Sequence, residues 1–272
     1  MALADKAAEI KKSVETTYDF PDMDEVLIAD NEKYIISIYG DKNDAKSTLM
    51  YSLMERNDSC VVLSFDGKSA TPLNIPFIKD MNLKAKVINP MIFYDKSTDS
   101  QWLMTADKTK DFINHLIDKI EPGSVDWICL DCTEVFKEVA EMAMRAKYKC
   151  GVFSGVNMAF WKERARIIDT IHEKAFAIAK KGVIYTFYPK TEQMLVKDGQ
   201  VIDSKQIPNW LGNILRNTDV VIHTTTIKDK SSKWRYIVNI EGSKKPFFKE
   251  GEYDVTGKCF RDVLNVVNEI QS

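Results

Sequence analysis

The sequence predicts an α/β fold, with a mainly parallel central sheet flanked by helices and an antiparallel C-terminal extension. Three observations lead there. Apolar runs at residues 34–39, 60–65, 85–88, 127–131 and 183–188 are nearly continuous, as in strands covered on both faces. Segments of helical period separate them, at 46–56, 105–120, 134–147 and 161–180. The last third then changes to strands joined by tight turns.

The chain has 272 residues, of which 44% are hydrophobic and 29% charged, the balance of a globular protein with a sizeable core. No repeat or Pro/Gly/Ser-rich linker divides it. The expected organisation is an N-terminal extension over 1–30, with a short amphipathic helix near 4–14, and one domain over 31–272. No run approaches the ~20 apolar residues of a membrane span, so no membrane partner is expected. The start, M-A-L-A-D-K, is too charged for a secretory leader, and a cytoplasmic location is expected. A net charge of −2 excludes a global basic field of the kind that binds nucleic acid nonspecifically. The 5 cysteines (Cys60, Cys129, Cys132, Cys150, Cys259) have no disulfide-framework spacing. Cys129 and Cys132 form a C-x-x-C without the second pair or histidine that zinc needs, and read as structural.

Taken in order, the first strand stops at Gly40. Asp41-Lys42-Asn43-Asp44-Ala45-Lys46-Ser47-Thr48 follows and leads into a helix. Strand, loop, Lys-Ser and helix is the layout of a nucleotide P-loop. A loop closing on a helix N-terminus aims backbone N–H groups and the positive end of the helix dipole at phosphates. Lys46 would reach the β- and γ-phosphates of ATP, and the Ser47 hydroxyl would ligate Mg²⁺. The pattern has glycine where this chain has Ala45, the smallest replacement.

A P-loop also needs a carboxylate for Mg²⁺ and a base for the attacking water, and both belong at the carboxyl ends of parallel strands. The run 125–131 closes on Asp131, the magnesium candidate, with Asp131 or Thr133 also placed to cap the next helix. The strand after the P-loop helix closes on Asp66-Gly67. Asp66 is a candidate for activating water, with an ordinary turn aspartate as the alternative. Glu134 is the rival base. Later, 193–196 and 200–203 flank Lys197-Asp198-Gly199 as a hairpin. A short helix is expected at 209–217, then strands at 220–225 and 233–240 around a turn at 228–232. A closing helix at 257–270 puts Phe260, Val263, Leu264, Val267 and Ile270 on one face.

These elements in this order resemble the RecA-like P-loop ATPase core, and most nearly the small RecA-like ATPases that phages and archaeal viruses encode beside single-strand-annealing recombination genes. The resemblance covers roughly residues 30–257. It implies a Mg²⁺-dependent ATPase with ATP on residues 40–48, acting on single-stranded DNA and assembled as a homo-oligomer, ring or filament. The family's water-activating glutamate falls on Asp66 and its magnesium aspartate on Asp131. Its polar γ-phosphate sensor falls near Thr186, where this chain lacks the usual Asn-Gln. Its DNA loops fall on residues 151–164 and 190–208, the first with Phe153, Phe160, Trp161, Lys162 and Arg164. Aromatics mixed with cations suit base stacking and phosphate contact, although Phe160 and Trp161 equally suit the core face of a helix. Lys244 and Lys245 fall on the family's terminal hairpin. A nucleotide-binding switch or assembly protein with weak hydrolysis, and a helicase or packaging motor, are the alternatives.

Overall fold

β1 (Tyr34–Tyr39) is the strand around which the chain is organised. In the computed structural model, which describes residues 33–197, 200–209, 214 and 217–271, it lies inside a sheet of order β10-β9-β8-β1-β5-β4-β2-β3. The other strands of that sheet are β2 (Ser59–Ser64), β3 (Lys84–Ile88), β4 (Trp127–Asp131), β5 (Gly182–Phe187), β8 (Val220–Lys228), β9 (Trp234–Ser243) and β10 (Gly251–Asp254). From β8 to β3 neighbouring strands are parallel, and β9 and β10 add antiparallel ladders at one edge. A separate hairpin, β6 (Pro189–Lys197) with β7 (Gln200–Pro208), follows β5.

Alternation along β1 sorts the helices into two layers. Ile35 and Tyr39 face α3 (Asp99–Asp118), α4 (Thr133–Lys147) and α5 (Trp161–Ile178). Ile36 and Ile38 face α1 (Lys46–Ser52), α2 (Pro76–Lys79) and α6 (Phe260–Gln271). Apolar side chains on both faces of one strand are what a doubly covered parallel sheet requires. The one polar residue facing inward, Ser37, is fully buried and shares a hydrogen bond of 3.1 Å with the Thr218 hydroxyl.

The strands expected for the main sheet lie within a few residues of those observed, whereas the hairpin strands expected at 193–196 and 200–203 are longer, Pro189–Lys197 and Gln200–Pro208. The helix expected at 46–56 ends at Ser52, and the one expected at 105–120 begins at Asp99, where the Thr98 hydroxyl accepts the Gln101 N–H at 3.2 Å. The expected cap on Thr133 or Asp131 is not made. α4 begins at Thr133 after Cys132, with no side-chain cap, because the Asp131 carboxylate is bonded elsewhere. β10 and α2 have no counterpart in the sequence reading; at four residues each they are too short to carry a period. The extension over 1–30, its helix near 4–14 and most of the short helix at 209–217 lie outside the described residues.

β1 sits where the connections change direction: its chain leaves through α1 for β2, while β8 and β5 flank it. Ligands collect at such a switch point, at the carboxyl ends of the strands. Gly40 ends β1 there against β8, and a Cβ on it would lie 2.3 Å from the Thr224 carbonyl oxygen. That neighbour is backbone and cannot step aside. Gly40→Ala is therefore expected to destabilise the fold by roughly 1–3 kcal/mol, read as a lower denaturation midpoint with an unchanged slope.

Candidate functional site

The loop after Gly40 is built by its own side chains. The Asp44 carboxylate accepts the Asp41 N–H at 2.7 Å with one oxygen and the Thr226 N–H at 3.0 Å with the other. The Thr224 hydroxyl donates to the Asp44 carbonyl at 2.8 Å. Asp44 thus closes the loop on itself and ties it to β8. Asn43 and Ala45 both have positive φ, 75° and 57°. Ala45 adopts the left-handed conformation that glycine enters without strain, so the departure from the P-loop pattern is absorbed in place.

Lys46, at 8% exposure, folds back over this loop. Its ammonium donates to the carbonyls of Gly40 at 2.8 Å and Asp41 at 2.7 Å, and lies 4.2 Å from the centre of the Tyr188 ring. Burial lowers its pKa, against the opposing pull of the Asp44, Glu134 and Asp131 carboxylates. Ser47, one residue on, donates to the Asp131 carboxylate at 2.6 Å.

Asp131, 3% exposed at the end of β4, is the centre of a hydroxyl cluster. The oxygen that accepts from Ser47 also accepts from Ser69 at 2.7 Å, and the other accepts from Thr186 at the end of β5. The Ser64 and Ser69 hydroxyls are 2.7 Å apart, and the Tyr51 hydroxyl of α1 donates to the Ser69 carbonyl at 2.8 Å. Three segments, α1, the loop after β2, and β5, therefore converge on one carboxylate. Carboxylate and hydroxyl oxygens are hard donors that suit Mg²⁺ and not a soft metal. The nearest thiol, Cys132, is instead 2.6 Å from Glu134, and burial drives its pKa up.

The candidate bases are placed differently. Glu134 accepts the Tyr188 N–H with one oxygen and the Cys132 thiol with the other, and burial raises its pKa. Asp66 is exposed at the mouth and accepts the Lys68 N–H at 2.9 Å within its own turn. A cleft of about 380 Å³ joins the two regions, bounded by the loop from Lys42 to Thr48 and by Asp66, Lys68, Asp131 and Tyr188. That volume lies within the roughly 300–1,000 Å³ of small-molecule sites. Ser69, Thr224, Thr226 and Tyr188 escaped the sequence reading. For Ser69 a signal existed, since Ser64 and Ser69 bracket Asp66-Gly67 at the carboxyl end of a core strand.

The residues assigned to nucleic acid do not form one surface. Trp161 stacks under Arg164 at 4.3 Å and near Arg145 at 6.0 Å, and both arginines pair with Glu141. Arg145 also donates to the carbonyls of Gly151 and Ser154. These groups hold the loop over 151–160 to α4. Phe153, 83% exposed, and Lys162 face outward. Lys244 and Lys245 follow β9 at its far end, where Ser243 pairs with Val220 and Lys245 lies 5.3 Å over the Tyr34 ring. That is the amino end of β1, opposite the cleft.

Beside this loop Arg166 and Lys147 hold the Glu163 carboxyl down at about 2, through contacts of 2.6 and 2.9 Å. A carboxyl depressed in the folded state contributes stability above its unfolded value, about 4.3, and loses it as pH falls toward the folded value. Glu163→Gln is expected to lower the Tm near neutral pH by about 2–4 °C. Thermal melts down the acid range should show that difference closing.

A glycine-ended core strand leads through a lysine- and serine-bearing loop to a helix, facing an aspartate on a nearby parallel strand. With its mostly parallel sheet, helices on both faces and antiparallel edge, this is an α/β fold that carries the strand, loop and helix layout of a P-loop. No protein-family model matches the chain, and no curated protein matches it in sequence. Among solved structures it is similar to the assembled ATPase EscN of the enteropathogenic E. coli type III secretion system, at 14% identity and a TM-score of 0.35. That likeness covers 71% of this chain and 43% of the EscN chain, so this chain spans less than half of that protein's length. Among the described residues no helix is long and apolar enough to cross a membrane, and no group of three or more His, Cys, Asp or Glu could hold a metal ion.

Proposed function

We propose that the chain is a Mg²⁺-dependent nucleoside triphosphatase. The observation that carries this is the joining of Lys46, Ser47 and Asp131 in one cleft at the switch point of the sheet. The loop over residues 40–48 and the Lys46 ammonium would hold the β- and γ-phosphates. Ser47 and Asp131 would hold Mg²⁺, which supplies charge neutralisation on the transferred phosphate when bound. Thr186 and Ser69 keep the Asp131 carboxylate oriented toward Ser47. Asp66, at the mouth, is the base we assign to the attacking water, and Glu134 positions the Tyr188 backbone.

A second reading, a nucleotide-binding switch with slow hydrolysis, is favoured by the geometry of the two carboxylates. Glu134 is engaged on both oxygens, and Asp66 accepts from its own turn. Calorimetric titration with Mg-ATP and single-turnover hydrolysis separate the two. Binding with turnover that Asp66→Asn abolishes supports the ATPase. Binding with background turnover supports the switch, and no binding removes both.

The narrower assignment to a recombination-type ATPase, with single-stranded DNA as partner and a ring or filament as the assembly, rests on the family resemblance and on the outward Phe153 and Lys162. Fluorescence anisotropy with labelled oligonucleotides, and sedimentation with a nonhydrolysable ATP analogue, test the two halves. Binding that needs Mg-ATP, weakens with salt and falls in Phe153→Ala would support the first. Absence of binding in every condition would remove it, and a monomer with and without the analogue would remove the second.

A further inference from the structure

Next to the phosphate cleft lies a second cavity, of about 250 Å³, with a different lining. Leu49 of α1 forms its floor, Ile75 and Phe77 one wall, and Val238 and Val255 the other. The two cavities meet at Ala45, Thr48 and Tyr236, which line both. A polar, lysine-bearing cleft that opens into an apolar slot matches a ligand with a polyanionic tail and a flat, largely apolar head. Inorganic polyphosphates lack the head, and nucleotides have it.

The slot is poor in groups that read a base edge. Among the described residues its lining contains no Asn, Gln, Asp, Glu, Arg or His. The Ser52 hydroxyl donates to the Leu49 carbonyl at 3.0 Å and that of Thr224 to the Asp44 carbonyl, so both are occupied by the backbone. Thr48 and Tyr236 offer hydroxyls, which donate or accept as required. Adenine and guanine differ in presenting an amino donor or a carbonyl acceptor at the same position, and a hydroxyl satisfies either. Lys258 stands exposed at the rim, where it can meet the N7 that both purines share.

We propose that this slot is the base subsite of the phosphate cleft and takes purines by shape, stacking and polar contacts that do not tell the two bases apart, so that ATP and GTP bind alike. The proposal rests on the phosphate-cleft reading above, and its test keeps the two apart. Calorimetry on the full chain would compare Mg-ATP, Mg-GTP and Mg-tripolyphosphate, in the wild type and in Val255→Trp, which fills the slot from its half-buried wall.

The two nucleotides are expected to bind within about threefold of each other, and both at least about tenfold more tightly than tripolyphosphate, the gain of stacking one base. Val255→Trp should bring both nucleotides down to the tripolyphosphate level while leaving tripolyphosphate affinity unchanged. That unchanged affinity also certifies a folded cleft. If the variant loses tripolyphosphate as well, Phe77→Ala replaces it, with nucleotide affinity expected to fall at least about threefold. A preference above about tenfold for either base overturns the reading that the slot does not discriminate between them. Tripolyphosphate binding as tightly as ATP, or nucleotide affinity unmoved in the variants, overturns the subsite. Failure of all three ligands to bind the wild type overturns the phosphate cleft itself.

Discussion

Lys46→Ala is expected to weaken Mg-ATP binding by about 100-fold or more. Charge-assisted hydrogen bonds contribute roughly 1.5–3 kcal/mol each, and a lysine spanning two phosphates makes at least two of them. The side chain is buried in the lining of the cleft, where water replaces it poorly. Its ammonium also bridges the Gly40 and Asp41 carbonyls, so the variant should lose some loop order. Calorimetry separates these effects when run beside a thermal melt. A melting point within a few degrees of wild type, with binding lost, is the expected pair of results. Equal ATP affinity in the two proteins would sink the phosphate assignment.

The second large effect is expected at Asp131. Asp131→Asn keeps the shape of the side chain and removes its charge, whereas alanine would leave the buried Ser69 and Thr186 hydroxyls without their acceptor and free the half-buried Ser47 hydroxyl. In the wild type Mg²⁺ should tighten ATP binding. In the asparagine variant that tightening should shrink by about tenfold or more, and turnover should fall by roughly 100-fold or more, as when a preorganised group at developing charge is removed. Binding of metal-free ATP should be much less affected. Titrations with and without Mg²⁺ provide the contrast. An identical Mg²⁺ dependence in wild type and variant would show that the metal is held elsewhere.

Much of this site was legible in the sequence because a P-loop is a local object. Gly40, Lys46 and Ser47 follow one another, and their spacing carries the chemistry without tertiary knowledge. Asp131 was legible for a second reason: a buried parallel strand is a continuous apolar run, and a carboxylate ending one stands out. Asp44 was not legible as the loop's organiser, because its second partner is the Thr226 backbone, far along the chain and met only when β8 pairs with β1. Ser69 is similar, a common hydroxyl residue whose meaning comes from converging on Asp131, and for Thr186 the resemblance marked the position but not its bond to that carboxylate. Trp161 and Arg164 show the opposite. Their composition suggested a nucleic-acid surface, and what composition could not show is that Arg164 lies over the Trp161 ring and pairs with Glu141, while its buried Nε has no hydrogen-bond partner among the described residues. Short elements such as β10 could not be seen, since four residues do not establish a period.

The sheet ends in two unlike borders among the described residues. β3 carries Lys84 and Lys86, both exposed and both on one face, and β10 has only four residues. A strand from another molecule that tried to extend the sheet at β3 would have to strip water from two ammonium groups for each short ladder gained. At β10 it would find too few backbone groups to template a stable pairing. Such borders act as gatekeepers against sheet-to-sheet growth, which matters for a fold whose parallel core must be assembled from distant parts of the chain and exposes unpaired strands while it forms. Replacing both lysines with valine or threonine would leave the cleft untouched, and its cost would appear during refolding at high concentration as precipitate.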